Sequence, residues 1–422
     1  MLAFKIAKTV LILMIDWYFF QALLVVFKDK LSTQSWRLLS IIFWSITAVL
    51  LSYSWMDKFV EGHFLGTSTR QFFMRTTFIM YISKLLGAGL LMMEDIVFQI
   101  QKLLQYLSQK PQQALDSPAG ESKMTRSEFL SKTALISGVI PLSLTGYGVL
   151  REAHDYQVRR QPLYLPNLPK SFEGLTIGQI SDIHSGSFFN PVAVKGGVEM
   201  LLREKPDLIF FTGDLVNYEA DEIKEYFDIF KKVKAPLGVY SVLGNHDYGE
   251  YKSWMDARLK AKNLEKMLLA HKELGWDLLQ DENRTIRQGS DQIAVLGVGN
   301  WGIRGRSNRH GKIEKAYSST EESPVKLLLS HDPSHWKAQI TGKYADIDVT
   351  FSGHTHGMQI GFDMLGIQWS PIQFVYEEWA GLYQDQNQYL YVNRGFGYAD
   401  IFPCRIGMPP EITIFELKRG EV

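Results

Sequence analysis

The chain has 422 residues with 45 Lys+Arg against 45 Asp+Glu, a formal net charge of zero. That length calls for more than one core, and the charge balance argues against a dedicated nucleic-acid binder, which carries a basic excess. A single cysteine, Cys404, excludes a disulfide framework and any cysteine-rich zinc module, and reads as a small buried hydrophobe rather than a nucleophile. The neutrality averages two unlike halves: residues 1–150 hold 14 Lys/Arg against 9 Asp/Glu, and residues 151–422 hold 31 against 36.

The front half reads as membrane. Residues 9–27 form an apolar run with one acid, Asp16, and one amide, Gln21. Residues 38–56 carry no charge and have Trp36, Tyr53 and Trp55 near their edges. At 1.5 Å per residue each run crosses a hydrocarbon core of about 30 Å, and the edge aromatics fit the interfacial belt. A third run, 76–93, is interrupted only by Lys84; a fourth, 133–150, is uncharged, rich in small residues and contains Pro141. A membrane region over 1–150 with about four transmembrane helices is expected, since runs this long and apolar are hard to bury in a small soluble bundle. A charge in lipid costs at least ~2.5 kcal/mol. Asp16 and Lys84 therefore pair, face the bundle interior or, for Lys84, snorkel; structural pairing is the expectation rather than proton conduction.

Between runs three and four, residues 96–107 show helical apolar spacing and 109–123 form a polar Pro/Gly/Ser stretch that reads as a linker. Arg126-Ser127-Glu128-Phe129-Leu130 then resembles a twin-arginine export signal with Ser127 in place of the second arginine. Basic residues divide 8 to 8 between the two sides of a four-span topology, so the positive-inside bias gives no orientation. The export-like element alone places Arg126 inside and residues 151–422 on the outer face of the cytoplasmic membrane.

From Gly174 the pattern changes to short β-rich runs that each end in polar residues. Residues 175–180 lead into Ser181-Asp182-Ile183-His184, 207–212 into Gly213-Asp214, 237–243 into Gly244-Asn245-His246-Asp247, 325–330 into His331, and 347–352 into Gly353-His354-Thr355-His356-Gly357. Helical-looking segments (192–205, 220–233, 252–274) separate several of them, which predicts an α/β domain over 151–422. Polar clusters at the carboxyl ends of such strands converge on one rim. Imidazole, carboxylate and amide oxygen form a donor set suited to Mn, Zn or Fe. Asp182/His184 and His354/His356 are each two residues apart and can face one side. About seven ligands exceed one tetrahedral site and suit two ions sharing a carboxylate.

The ordered blocks Asp-x-His, Gly-Asp, Gly-Asn-His-Asp, His and Gly-His-x-His resemble the signature of the calcineurin-like metallophosphoesterases, across residues 175–417. The chain looks most like the bacterial membrane-associated members, and the likeness extends to Asn393-Arg394-Gly395-Phe396-Gly397 and Pro409-Pro410-Glu411. Those relatives have a glycine where Met358 stands. The resemblance implies a four-layer αββα sandwich after the transmembrane bundle. It puts Asp182, His184, Asp214 and His356 on one divalent metal, and Asp214, Asn245, His331 and His354 on the other, with Asp214 bridging. Paired cations activate water and clamp phosphoryl oxygens for in-line attack. His246 is the candidate for protonating the leaving oxygen, with Asp247 orienting it. His271, His310 and His335 read as surface or core residues, His335 being an outside candidate for the site.

Two loops bear on substrate. Residues 301–315 contain Arg304, Arg306, Arg309, His310, Lys312 and Lys315, either a solvated face or a grip on an anionic head group. Residues 358–383 hold Phe362, Met364, Leu365, Ile367, Trp369, Phe374 and Trp379, which are core, an apolar wall for a lipid, or an edge resting on the bilayer. Membrane spans joined to a phosphoesterase suggest a lipid-linked or small phosphodiester or pyrophosphate. A nucleotide or nucleic-acid phosphodiesterase is disfavoured by the neutral charge, and a non-catalytic membrane scaffold by the complete ligand set.

Overall fold

The computed structural model describes residues 2–56, 67–108, 126–304, 309–364, 367–400 and 402–420. The chain divides into two compact units, Met1–Gly146 and Tyr147–Val422. The 109–123 stretch, Arg306 and Leu365 lie outside the described residues, as do the side chains of Arg126, Ser127 and Met364.

The first unit is built from α1 (Leu2–Phe27), α2 (Thr33–Met56), α3 (Thr67–Ser108) and all but the last four residues of α4 (Arg126–Leu150). All four are long and apolar enough to cross a membrane. The helices overrun the apolar runs that predicted them. In particular, the amphipathic residues 96–107 are not a separate segment: they continue run three into one 42-residue helix. Hydropathy marks the part suited to lipid, whereas backbone hydrogen bonding carries a helix on through polar residues until a breaker intervenes.

Asp16 and Lys84 pair inside this unit. Lys84 Nζ lies 2.6 Å from Asp16 Oδ1, and Asp16 Oδ2 accepts from Thr47 Oγ1 (2.7 Å) and Tyr81 Oη (2.8 Å). Lys84 also sits over the rings of Phe43 and Tyr81. Every oxygen of the buried acid has a partner, so three helices are pinned in register by one network. Helices α3 and α4 approach closely at Gly87, where a Cβ would collide with the Ala134 carbonyl.

The second unit holds strands β1 (Gln157–Leu165), β2 (Thr176–Ile180), β3 (Leu208–Phe211), β4 (Val239–Ser241), β5 (Asp277–Leu278), β6 (Glu282–Gln288), β7 (Asp291–Gly297), β8 (Lys326–Leu329), β9 (Val349–Ser352), β10 (Phe362–Met364), β11 (Ile367–Trp369), β12 (Gly381–Asp385), β13 (Gln388–Val392) and β14 (Glu411–Arg419). They form two six-stranded sheets, ordered β1-β14-β2-β3-β4-β5 and β12-β13-β9-β8-β7-β6, and the ribbon β10-β11. Helices α5 (Pro191–Arg203), α6 (Phe227–Phe230), α7 (Ala257–Leu274) and α8 (Ile313–Tyr317) complete it. The helical-looking stretch 220–233 is not one helix: it breaks into a 3-10 segment, Ala220–Glu225, and the single turn of α6.

Alternation along the strands sorts side chains into three layers. Leu208, Phe210, Val295, Leu327 and Phe351 meet between the sheets. Their neighbours Ile209 and Phe211 face α5 and α7 through Val198, Leu201, Met267 and Leu274. On the other side Ala294, Leu296 and Leu328 pack on Ile313 and Trp336. This is the expected αββα order, and it follows from strands apolar on both faces. Strands β2, β3 and β4 run parallel, with Ile180, Phe211 and Ser241 level, and so do β7, β8 and β9. All five polar blocks therefore leave strand carboxyl ends.

Candidate metal centre

Two loops bring the first residues together. Asp182 N donates to Gly213 O (2.8 Å) and His184 N to Asp214 O (3.1 Å), which locks the loop after β2 against the loop after β3. Asp182, His184, Asp214, His354 and His356 all have positive φ, between 47° and 71°. Five non-glycine residues in that region are a concentration of backbone strain, of the kind found at functional sites. Gly213 (φ 99°) and Gly244 are required by crowding: a Cβ on Gly244 would overlap the Asp214 carboxylate. Met358, next in the chain after Gly357, also adopts positive φ (52°).

The side chains form two groups. Asp182, His184 and His356 converge, as do Asp214, His331 and His354, each within 4.8 Å. His184 Nε2 faces His356 Nε2 at 3.0 Å, and His356 Nε2 lies 3.3 Å from Asp182 Oδ1. Asn245 Oδ1 joins the second group at 3.1 Å from His331 Nε2 and 2.8 Å from His354 Nδ1; its amide nitrogen donates to Tyr251 Oη, which turns the oxygen inward. Between the groups, Asp214 Oδ2 is 3.7 Å from His184 Nε2 and 3.1 Å from His331 Nε2. His246 also approaches His184 and Asp214.

Electrostatics follow from burial. It pushes the Asp182 carboxyl up to about 7 against the pull of His331, and lowers His184 to about 3, helped by neighbouring His246. Burial also opposes ionisation of Asp214, but His331 and His246 beside it hold its carboxyl well below the ordinary range. His331 is raised to about 10 because the Asp214 carboxylate outweighs burial. Buried imidazole nitrogens aimed at one another, with carboxylate and amide oxygens among them, are reconciled by cations: the donor set fits divalent metals. Partners outside the cluster set tautomers. His331 Nδ1 donates to Thr212 O (2.7 Å), leaving Nε2 inward. His354 Nε2 lies 3.0 Å from Tyr376 Oη, which in turn donates to Asp332.

The expected role of Asp247 is corrected. It does not touch the His246 ring; its carboxylate accepts four backbone N–H bonds, from Asp214 and Gly244 (both 2.9 Å), Leu215 (2.8 Å) and Val216 (3.3 Å). A carboxylate buried beside loops rich in free N–H groups is claimed by them. His246 is oriented instead by Asn217, whose carbonyl accepts from Nδ1 at 2.7 Å, and by stacking on Tyr251 (4.2 Å between ring centres). His335 is buried away from the cluster with both nitrogens engaged, by Ser330 and Gln339; His271 is buried against Ser241, and His310 stacks on Tyr248. Among the basic-loop residues, Arg304 lies over the Tyr376 ring (5.8 Å).

Asn217, Tyr251, Asp332, Tyr376 and Arg405 also reach the cluster or its partners, beyond the residues expected from the sequence. Arg405 is fully buried beside His356 (Nη2 to Nδ1, 3.4 Å) and donates to the carbonyls of Arg394, Gly395, Gly397 and Met408. Only Asp332 had a signal, its place next to His331.

A sequence profile described as "Probable Calcineurin-like phosphoesterase, transmembrane domain" matches residues 4–153, and "Calcineurin-like phosphoesterase" matches residues 175–358. The chain is 30% identical over 305 residues to the metallophosphoesterase YkuE of Bacillus subtilis, a match covering 70% of this chain and 98% of that one. The chain belongs to the calcineurin-like metallophosphoesterase family. It is 29% identical over 296 residues to the "Transmembrane protein with metallophosphoesterase domain" of Danio rerio, covering 68% of this chain and 63% of the fish protein. A metallophosphoesterase of Helicobacter pylori is 28% identical over 281 residues, 65% and 68% of the two chains. This metallophosphoesterase is thus a metal-dependent hydrolase of ester bonds with an N-terminal transmembrane domain, and a membrane protein.

Proposed function

We propose that this metallophosphoesterase is a membrane-anchored dinuclear phosphohydrolase acting on a phosphodiester or pyrophosphate that is lipid-linked or small. The observation that carries the reading is Asp214 Oδ2, which faces His184 of one group and His331 of the other. Asp182, His184 and His356 would hold one Mn, Zn or Fe ion, His331, His354 and Asn245 the second, and Asp214 both. Bound there, the ions supply an activated water and neutralise phosphoryl oxygens. Asp247 keeps Asp214 in place through the Asp214 and Gly244 amides. Asn217 fixes the Nδ1–H of His246, so Nε2 is the nitrogen that can hand a proton to the leaving oxygen. Purified protein stripped with a chelator and reloaded with Mn²⁺ or Zn²⁺ is expected to hydrolyse a soluble aryl phosphodiester faster than the monoester. Absence of turnover with every metal would overturn the reading.

For localisation we propose the cytoplasmic membrane, multi-pass, with the catalytic unit on the outer face. The degenerate export-like element at 126–130 supports this side. With Cys404 changed to Ser and one cysteine placed within 109–123, an impermeant thiol reagent should label only lysed cells. Labelling of intact cells would reverse the orientation.

A further inference from the structure

We propose that residues 358–363 and 367–375 form a lipid-contacting rim of the active site, and that the ester cleaved is carried on a lipid of the bilayer that holds the chain's own helices. The proposal rests on the phosphohydrolase reading above.

The segment leaves the metal cluster just after His356 and returns to it at Tyr376, whose hydroxyl meets His354 Nε2 at 3.0 Å. Along it Met358, Phe362, Ile367, Trp369, Phe374 and Val375 are between 38% and 80% exposed. Single exposed apolar residues are ordinary, but six on one short segment next to the metal cluster are a concentration of the kind that marks an interaction surface. Of the three alternatives for this stretch, core describes its end, where Tyr376, Trp379 and Ala380 are buried with Met408. The sole charged residue of 358–376 is Asp363. It is turned inward, bonded to Arg394 Nη2 (3.0 Å) and Arg159 Nη2 (2.8 Å), so the outer surface carries no charge from this segment. Across the β10-β11 ribbon Phe362 stacks on Trp369 (5.9 Å), and a tryptophan indole is of the type favoured at the lipid–water boundary. Arg304, exposed beside Tyr376, adds a cation suited to an anionic head group.

The chain itself supplies the occupant. Only residues 151–156 separate the end of α4 at Leu150 from β1 at Gln157. Fully extended they reach about 20 Å, so a bilayer crossed by α4 is never far from the catalytic unit. A partner protein would have to compete with a lipid surface that is always present.

The test uses the full chain in vesicles of phosphatidylcholine and phosphatidylglycerol. In a Cys404→Ala background, Phe374→Cys carries an environment-sensitive fluorophore; Leu269→Cys, exposed on α7, is the reference. The label at 374 should be blue-shifted and quenched by nitroxide-bearing lipid, and the label at 269 should not. Equal response at both sites, or cross-linking of position 374 to a second copy, overturns the proposal. Independently, Phe374→Ser/Val375→Ser in the native chain should lower turnover of a vesicle-borne diacylglycerol aryl phosphate relative to the soluble aryl ester. The expected drop is about tenfold, the scale of one large apolar side chain lost from an interface. An unchanged ratio also overturns it. Inactivity of the unmodified protein on both esters would instead refute the phosphohydrolase reading, and the quenching result stands apart from that failure.

Discussion

Asp214→Asn should empty both metal sites at once. The carboxylate faces both clusters, with Oδ2 3.7 Å from His184 Nε2 and 3.1 Å from His331 Nε2, while Oδ1 accepts from the His246 amide at 2.8 Å. The amide isostere keeps the shape but removes the shared negative charge and directs N–H groups at positions meant for cations. Metal analysis of the purified variant is expected to fall from two equivalents toward none, and turnover by at least about 10²–10³-fold, the scale of losing preorganised charge stabilisation. Asp182→Asn, by contrast, should weaken mainly the site that holds His184 and His356. A variant of Asp214 that kept two equivalents and full activity would rule out the dinuclear assignment. Circular dichroism should remain native-like, because Asp247 still holds the loop through the backbone amides of Asp214, Leu215 and Val216.

His246→Ala should lower turnover by roughly 10²–10⁴-fold while metal content stays near normal. The ring is half-buried beside His184 and Asp214, stacked on Tyr251 and held at Nδ1 by the Asn217 carbonyl, a posture that commits one nitrogen and leaves the other for chemistry. A general acid matters in proportion to how badly the leaving oxygen needs a proton. The deficit should therefore be large for an alkyl ester and shrink for a nitrophenyl ester. An equal loss across both leaving groups would mean that His246 serves structure alone. The same pair of substrates separates His246 from Asp247: Asp247→Ala removes a clamp on four amides and should cost metal content with every substrate.

The site's composition was legible in the sequence because its chemistry is local. Asp182/His184 and His354/His356 lie two apart on chain leaving a strand, Gly213-Asp214 and Gly244-Asn245 sit on turns, and each block follows a short β-rich apolar run of strand length. The membrane helices were legible for a similar reason: the hydrocarbon thickness sets a length, and an uncharged run of that length has few other homes. Charge pairing of Asp16 with Lys84 was one of several options in the sequence. Only the packing of α1 against α3 brought a carboxylate and an ammonium 68 positions apart to 2.6 Å.

What the tertiary structure decided is orientation. Nothing in Gly-Asn-His-Asp says that Asp247 serves the backbone and that the Asn217 carbonyl serves His246. That choice depends on where the amides of the loop after β3 end up, and they claim the nearest buried carboxylate because an unpaired buried N–H costs more than a lost side-chain contact. Tyr376 and Arg405 reach the cluster from 22 and 49 residues beyond His354 and His356, distances over which no periodic pattern persists. The apolar stretch after His356 could be core, wall or edge by its letters alone. Folding turned Asp363 inward and Phe374 outward, and burial is a property of neighbours, which a linear chain does not specify.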